Sequence, residues 1–380
     1  MTINAKKIIE TILTRADIRI NGDRPGDIQV HNERLYGKVL RQQSIGLGDA
    51  YMDKWWDCED LDQFFYKLLS SHVIDNKKSH LSYIVKLVPA LFLNFQSKKH
   101  SQKVADEHYN LDNTLFQHML GPSMAYTCAY FKHTDHLDKA QYAKYDLVCR
   151  KVKLKPGEKV LELGCGWGSF AKYAAENYGC EIVSVNISEE QIKYAKTLCK
   201  NLENVEFFLC DYRDAHIYNN KNIKFDKVVS IGLCEHIGHK NYQGLMTLVK
   251  KQMKEDGVFL LHTIGGNASV KTGDPWLSKH IFPHGHIPSL KQLVSASQGT
   301  FALEDFHNFG TDYDLTLMAW YDNFKQHWAQ LKNTYDERFY RMWRYYLLCC
   351  AAGFRARYTY LWQFVFTKID SRQAYGNTER

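Results

Sequence analysis

The run Val160-Leu161-Glu162-Leu163-Gly164-Cys165-Gly166-Trp167-Gly168-Ser169-Phe170 constrains the fold more than any other stretch of this chain. An apolar segment reaches an acid and breaks into three alternating glycines. It then resumes with Phe170, Tyr173 and Ala174 at helical spacing. The pattern predicts a buried strand, a tight turn and a helix. Glycines let the backbone turn sharply and let a ligand lie against it with no Cβ in the way. A strand–loop–helix crevice of this kind is where open α/β sheets bind nucleotides.

The residues that follow repeat the alternation. Glu181 to Ser188 reads as a second strand, and Ser188-Glu189-Glu190-Gln191 as the N-cap of a helix running to about Lys200. Val205 to Leu209 and Phe225 to Ser230 are a third and a fourth strand. A helix is expected from Tyr242 to Met253, and a fifth strand from Val258 to His262. Strands alternating with helices at these intervals predict an α/β fold with a doubly wound, Rossmann-like parallel sheet. Loops at the carboxyl ends of its strands then converge on one crevice: Gly164 to Gly168, Asn186 to Gln191, Asp211-Tyr212, Glu235 and His262.

Upstream, a helix is expected from Leu137 to Lys151. Residues 1 to about 70 show helical stripes broken by turns, with a short strand near 27–30. Towards the other end, residues 335–366 are dense in Tyr, Trp, Phe and Arg at helical spacing and read as helix. The expected division is a smaller, mainly helical N-terminal domain over 1–105 and a catalytic domain over 106–380.

Composition decides between partners. The 380 residues are 45% hydrophobic and 24% charged, which describes a folded chain. The formal net charge of +7 favours an anionic partner, a phospholipid surface or nucleic acid. Between 71 and 105 lie Lys77, Lys78, Lys86, Lys98, Lys99 and Lys103 against the single acid Asp75. They bracket the apolar run 81–95. That arrangement suits an interfacial helix whose lysines reach lipid phosphates, and equally a core helix with solvated ends. No aromatic spacing there suggests base stacking, so a bilayer contacted through 77–103 is expected rather than nucleic acid. The run is too short, and too interrupted by Lys86 and Pro89, to span a bilayer, which takes ~20 residues. The first residues lack the apolar core of a signal peptide. Ten cysteines without a CxxC pair or zinc-site spacing predict no metal and reduced thiols. The expected location is cytoplasmic, peripheral to the inner membrane surface.

Which nucleotide the glycine loop serves follows from its neighbours. Dinucleotide sites use Gly-x-Gly-x-x-Gly and an acid ending the second strand. Here the third glycine comes one residue early, and the second strand ends in Asn186-Ile187-Ser188. Glu162 before the first glycine and Asp211 after the third strand match an S-adenosylmethionine site better. Glu162 would hold the amino end of the ligand, and Asp211 with Tyr212 would flank adenine.

The chain as a whole resembles the bacterial cyclopropane-fatty-acyl-phospholipid synthases and, more distantly, the mycolic acid cyclopropane synthases. The resemblance rests on Glu107-His108-Tyr109, Tyr126-Thr127-Cys128-Ala129-Tyr130, Leu161 to Gly168, Cys234-Glu235-His236-Ile237-Gly238, Leu261 to Gly265, Ile281-Phe282-Pro283 and Asp312 to Tyr321. It implies methylene transfer from S-adenosylmethionine across a cis double bond of an unsaturated phospholipid acyl chain, with bound bicarbonate as base. The matching bicarbonate positions are Cys128, Glu235, His262, Ile264 through its backbone, and Tyr313. The matching cofactor positions are Tyr126, Thr127, Glu162, Gly164, Cys165, Gly166, Trp167, Gly168, Asn186, Ser188, Gln191, Asp211 and Tyr212. Thr127 stands where the family commonly has Ser, Asn186 where it has Thr, and Glu162 where it has Asp; hydrogen-bonding capacity is kept at each. A homodimer is compatible with the resemblance.

The chemistry is consistent with those residue types. An alkene is a weak nucleophile, so the methyl must be held against it in a dry site, an orientation effect of roughly 7–11 kcal/mol. Ring closure then needs a base beside a carbocation, and a small oxyanion held by a thiol, an imidazole, a phenol and backbone donors suits that task. Taken singly, Cys128 reads as an inert buried thiol, Glu235 as a helix N-terminal acid and Tyr313 as core. Two other readings remain: a small-molecule N-methyltransferase, and a catalytically silent lipid-binding protein.

Overall fold

The computed structural model describes residues 5–72, 113–270, 273–372, 374–376 and 378–380. The chain forms two compact units. Among the described residues, one unit comprises 5–72, 273–283 and 313–359, and the other 113–270, 284–312 and the described part of 360–380. The division is therefore not a single cut near 105: two later segments belong with the N-terminal one. The basic stretch 77–103 and the Glu107-His108-Tyr109 motif lie outside the described residues.

The first unit is mainly helical. A two-residue antiparallel ladder pairs β1 (Gln29–Val30) with β2 (Trp56–Asp57). Around it pack the helices Ala5–Arg15, Arg34–Met52, Leu61–Ser70, Pro275–His280 and Glu337–Arg355. Two arginines explain why 313–359 joins this unit. Arg341 donates to the carbonyls of Tyr51 (2.6 Å) and Trp56 (3.0 Å). Arg355 pairs with Asp62 (2.7 Å) and Asp314 (2.9 Å). Tyr345 sits among Tyr51, Phe65 and Trp276, with ring centroids 4.4–5.6 Å apart.

The second unit is built on a seven-stranded sheet of order β5-β4-β3-β6-β7-β9-β8. Its strands are β3 (Lys159–Leu163), β4 (Glu181–Asn186), β5 (Val205–Leu209), β6 (Phe225–Ile231), β7 (Met253–Gly265), β8 (Phe301–Asn308) and β9 (Tyr360–Lys368). The first five run parallel, as the alternation predicts. Both faces are covered. Leu161, Leu163, Val228, Phe259 and Leu261 point into one core. Val160, Ile182, Val229, Val258 and Leu260 point into the other. That two-sided burial is why these strands read as continuous apolar runs rather than as alternating ones.

One expectation fails. The helix beginning at Glu337 ends at Arg355, and residues 360–368 form β9, antiparallel to both β7 and β8. The sheet is therefore mixed, not wholly parallel. The aromatic density that suggests helix also suits strand, where Trp, Phe and Val fit a pleated surface. The break is local: Arg357 adopts a left-handed φ of 58°, and the amides of Tyr358 and Thr359 fold back onto the Gly353 carbonyl. Phe364 and Phe366 then enter one core and Val365 the other. Among the described residues no helix is long and apolar enough to cross a membrane.

Candidate active site

The glycine loop is set by β3 and the helix Ser169–Tyr178 that follows it. Gly168 caps that helix with φ 86°, and a Cβ there would lie 2.7 Å from the Ala195 Cβ and 3.0 Å from the Phe207 ring. Glycine is thus what lets this loop approach the helix Glu189–Leu198. Gly166 differs: a Cβ there meets nothing within 4 Å, so the loop opens to free space at this point.

Asn186, at the tip of β4, donates to the Gly166 carbonyl (3.2 Å) and to Gln191 Oε1 (2.7 Å), and its Oδ1 accepts from the Ile187 amide (2.8 Å). Ser188 Oγ accepts from the Gln191 amide at 3.4 Å, the predicted N-cap. The Cys165 amide donates to Val185 (3.2 Å), and burial pushes its thiol well above the usual range, which leaves it inert. Trp167 donates to Asn113 (3.0 Å) and packs on Phe116, which meets the edge of Tyr126. Asp211 is gripped by Arg213 through two bonds of 2.6 and 2.7 Å, and that guanidinium lies over Tyr212. The interlock of Asn186 with Gln191 occupies the place where a dinucleotide site carries its acid.

Glu162 is 2% exposed and accepts from Ser184 Oγ at 2.7 Å. Desolvation raises its carboxyl to about 7, against the opposing pull of Ser184 and of the Lys144 charge.

Beyond β6, the short helix Cys234–Ile237 presents Glu235. Its Oε1 accepts from the Ile264 amide at 2.7 Å, while Oε2 is enclosed with no hydrogen-bond partner among the described residues. The Glu235 carbonyl accepts from the His286 amide (2.8 Å), tying this helix to residues 284–289. Burial of the carboxylate raises it to about 7, although the residue as a whole is only half-buried. The Ile264 amide, expected to face an anion directly, here orients Glu235.

His262, on β7, is 1% exposed, and burial holds its imidazole neutral, well below the ordinary range. Gln363 on β9 places its side-chain amide 3.2 Å from Nδ1. Nε2 has no hydrogen-bond partner among the described residues. The His262 carbonyl accepts from the Gly232 amide (2.9 Å). Cys128 is fully buried and its thiol lies 3.2 Å from the Ala129 carbonyl. Tyr313 belongs to the helical unit, where its ring stacks on Phe354 at 4.5 Å.

Two residues escape a motif-based reading. Gln141 and Lys144 lie on the buried stripe of the helix Leu137–Lys151, with Ala140, Tyr145 and Val148. Gln141 Nε2 donates to the Thr127 carbonyl (2.9 Å), and Lys144 Nζ to Thr127 Oγ1 (2.8 Å). The charge of Lys144 reaches Cys128, Glu162 and His262. Lys144 therefore connects groups from four separate segments. The available signal was an amide and a cation at i, i+3 on a face that is mostly apolar up to the second buried lysine, Lys151.

The mixed seven-stranded sheet with a glycine loop after β3, its first strand in chain order, and a buried acid before that loop, defines an S-adenosylmethionine-dependent methyltransferase. Residues 96–364 match the family model "Mycolic acid cyclopropane synthetase". The chain is 46% identical over 365 residues to the cyclopropane-fatty-acyl-phospholipid synthase of Escherichia coli K12, covering 96% of this chain and 94% of that one. It superposes on a cyclopropane synthase of Mycobacterium tuberculosis with a TM-score of 0.64 at 28% identity, covering 70% and 97% of the two chains. A mycolic acid cyclopropane synthase complexed with SAH and CTAB gives 0.63 at 30%, covering 70% and 97%. The chain belongs to the mycolic acid cyclopropane synthetase family.

Proposed function

We propose that this enzyme transfers a methylene group from S-adenosylmethionine to the cis double bond of unsaturated acyl chains in membrane phospholipids, forming cyclopropane fatty acids. The observation that carries the reading is the 46% identity to the Escherichia coli phospholipid enzyme over nearly the full length of both chains. Bound S-adenosylmethionine supplies an electrophilic methyl carbon on a sulfonium.

The residues present fit such a donor. The loop opens at Gly166, and Glu162 is a buried carboxyl whose one hydrogen-bond donor is a serine. Tyr126, Thr127 and Trp167 wall the pocket, and Asp211 with Tyr212 flanks the adenine. A cation beside Glu162 favours its ionised form. Below pH 7 the carboxyl is protonated and binding must release that proton. Affinity for S-adenosylmethionine therefore rises with pH up to about 7, by as much as tenfold per unit well below it, and then levels. Calorimetry between pH 5.5 and 8 checks this, and Glu162→Gln should flatten the curve.

The ring-closing base is a bound bicarbonate in this reading. The donor set fits an oxyanion that carries one O–H. Glu235 Oε2, enclosed and without a partner among the described residues, accepts from that hydroxyl, and His262, in the tautomer with its proton on Nε2, donates to an oxygen. Ile264 fixes the Glu235 rotamer, and Cys128 is assigned to the same site. Water is kept out because these groups are buried, so no solvent competes for the cationic carbon.

The bilayer contact is assigned to 77–103, whose lysines would meet lipid phosphates at the cytoplasmic leaflet. Purified protein, S-adenosylmethionine and vesicles of an unsaturated phospholipid should yield a lipid heavier by about 14 mass units per double bond, with cyclopropane ring protons in its NMR spectrum. A methyl-branched or hydroxylated product, or transfer only to a soluble amine, would overturn the reading.

A further inference from the structure

The helix Leu137–Lys151 carries a wholly buried lysine that no part of the proposed reaction uses directly. Lys144 is 0% exposed. Its Nζ lies 2.8 Å from Thr127 Oγ1 and 4.3 Å from the centroid of the Tyr145 ring, and it forms no salt bridge among the described residues. One turn earlier on the same face, Gln141 Nε2 holds the Thr127 carbonyl at 2.9 Å and the Ala125 carbonyl at 3.4 Å. From the opposite side Gly232 approaches Thr127 so closely that a Cβ there would lie 2.9 Å from its methyl. Thr127 is thus clamped between a helix and the end of β6. Its neighbours in sequence are Tyr126, which reaches Phe116 and through it Trp167 of the glycine loop, and Cys128.

A lysine is costly in such a place. Burial lowers it to about 7, and an apolar residue of similar length would fill the same space without that penalty. What the ammonium adds is a charge-assisted bond to the Thr127 hydroxyl and a positive charge facing Glu162. The titratable groups facing it are Cys128, Glu162 and His262 from other elements, and Tyr145 on its own helix. Glu162 in turn faces the buried thiols Cys165 and Cys199, both pushed up by burial.

We propose that Lys144 is a positioning residue of the donor pocket: it holds the Tyr126–Cys128 strip in place through the Thr127 hydroxyl. The proposal rests on the reading of this pocket as the S-adenosylmethionine site. The charge of Lys144 favours the carboxylate of Glu162, so its removal leaves Glu162 protonated to higher pH.

The test is calorimetric binding of S-adenosylmethionine to the full chain and to Lys144→Met, Thr127→Val and the double variant, at several pH values, with thermal melts alongside. Lys144→Met should weaken binding about ten- to a hundredfold at pH 7, the scale of a hydrogen bond to a charged group. The midpoint of the affinity–pH curve should move up by about one unit. The double variant should bind no more weakly than Lys144→Met, because both substitutions remove one interaction. A merely structural lysine would leave the midpoint where it is. Unchanged affinity and midpoint in a folded Lys144→Met, or effects of the two substitutions that multiply, overturn the proposal. If Lys144→Met does not fold, Thr127→Val decides alone: about tenfold weaker binding supports the clamp, and unchanged binding overturns it. Wild-type chain that binds no S-adenosylmethionine overturns the pocket reading itself, a result distinct from wild type and variant binding alike.

Discussion

Glu235→Gln is expected to lower kcat by about 10²- to 10⁴-fold, the range for losing a group that handles a proton in the reaction. Affinity for S-adenosylmethionine should change by less than about threefold. The separation follows from the geometry. The amide keeps an oxygen for the Ile264 N–H, now 2.7 Å from Oε1, so the helix Cys234–Ile237 stays in place. The donor-loop glycines lie at the end of another strand, β3. What disappears is the carboxylate charge at the enclosed Oε2. Because burial raises Glu235 to about 7, the wild-type kcat at saturating donor should rise with pH through that value as the carboxyl ionises, and the limb should vanish in the variant. Saturating donor matters, since Glu162 titrates in the same range and acts on binding. Equal loss of binding and turnover, or a pH limb that persists in Glu235→Gln, would remove Glu235 from the base site.

Gly168→Ala should destabilise the second unit by about 2–5 kcal/mol, read from the urea midpoint. Left-handed backbone costs a residue with a Cβ ~1–2 kcal/mol. Overpacking costs ~1–3 kcal/mol more. Both apply here: φ is 86°, and the new methyl would lie 2.7 Å from the Ala195 Cβ. Gly166→Ala is the control. It shares the positive φ but meets no atom within 4 Å, so it should lose only the strain, ~1–2 kcal/mol, and remain folded. Its methyl instead enters the open side of the loop and should impair donor binding. A Gly168→Ala protein as stable as Gly166→Ala would show that the contact with the helix Glu189–Leu198 can relax.

Much of the second unit was legible beforehand. The helix Leu137–Lys151 and the strand Val205–Leu209 have the bounds their apolar patterns predict, and the Ser188 cap forms as the Ser-Glu-Glu-Gln sequence suggests. These are local features, set by periodicity and by one side chain bonding an amide three residues on. β9 was not legible, because Trp362, Phe364 and Phe366 suit either a helix or a buried strand. Only pairing with Val258 to Gly265 on one side and with β8 on the other selects the strand. The allegiance of 313–359 was likewise hidden. It depends on Arg341 and Arg355 finding carbonyls and carboxylates some 290 positions away.

The candidate site divides along the same line. The sequence alone determined the strand–glycine loop–helix turn at 160–170 and the family, because each is written in residues whose types and spacing carry the signal. Tertiary structure alone decided what each group's surroundings make of it. The Ile264 amide turns to Glu235, the Gln363 amide reaches His262, and Lys144 donates to the Thr127 hydroxyl. Burial and a single partner from a distant segment set the charge of Glu162, Glu235 and Lys144, and a linear sequence records neither.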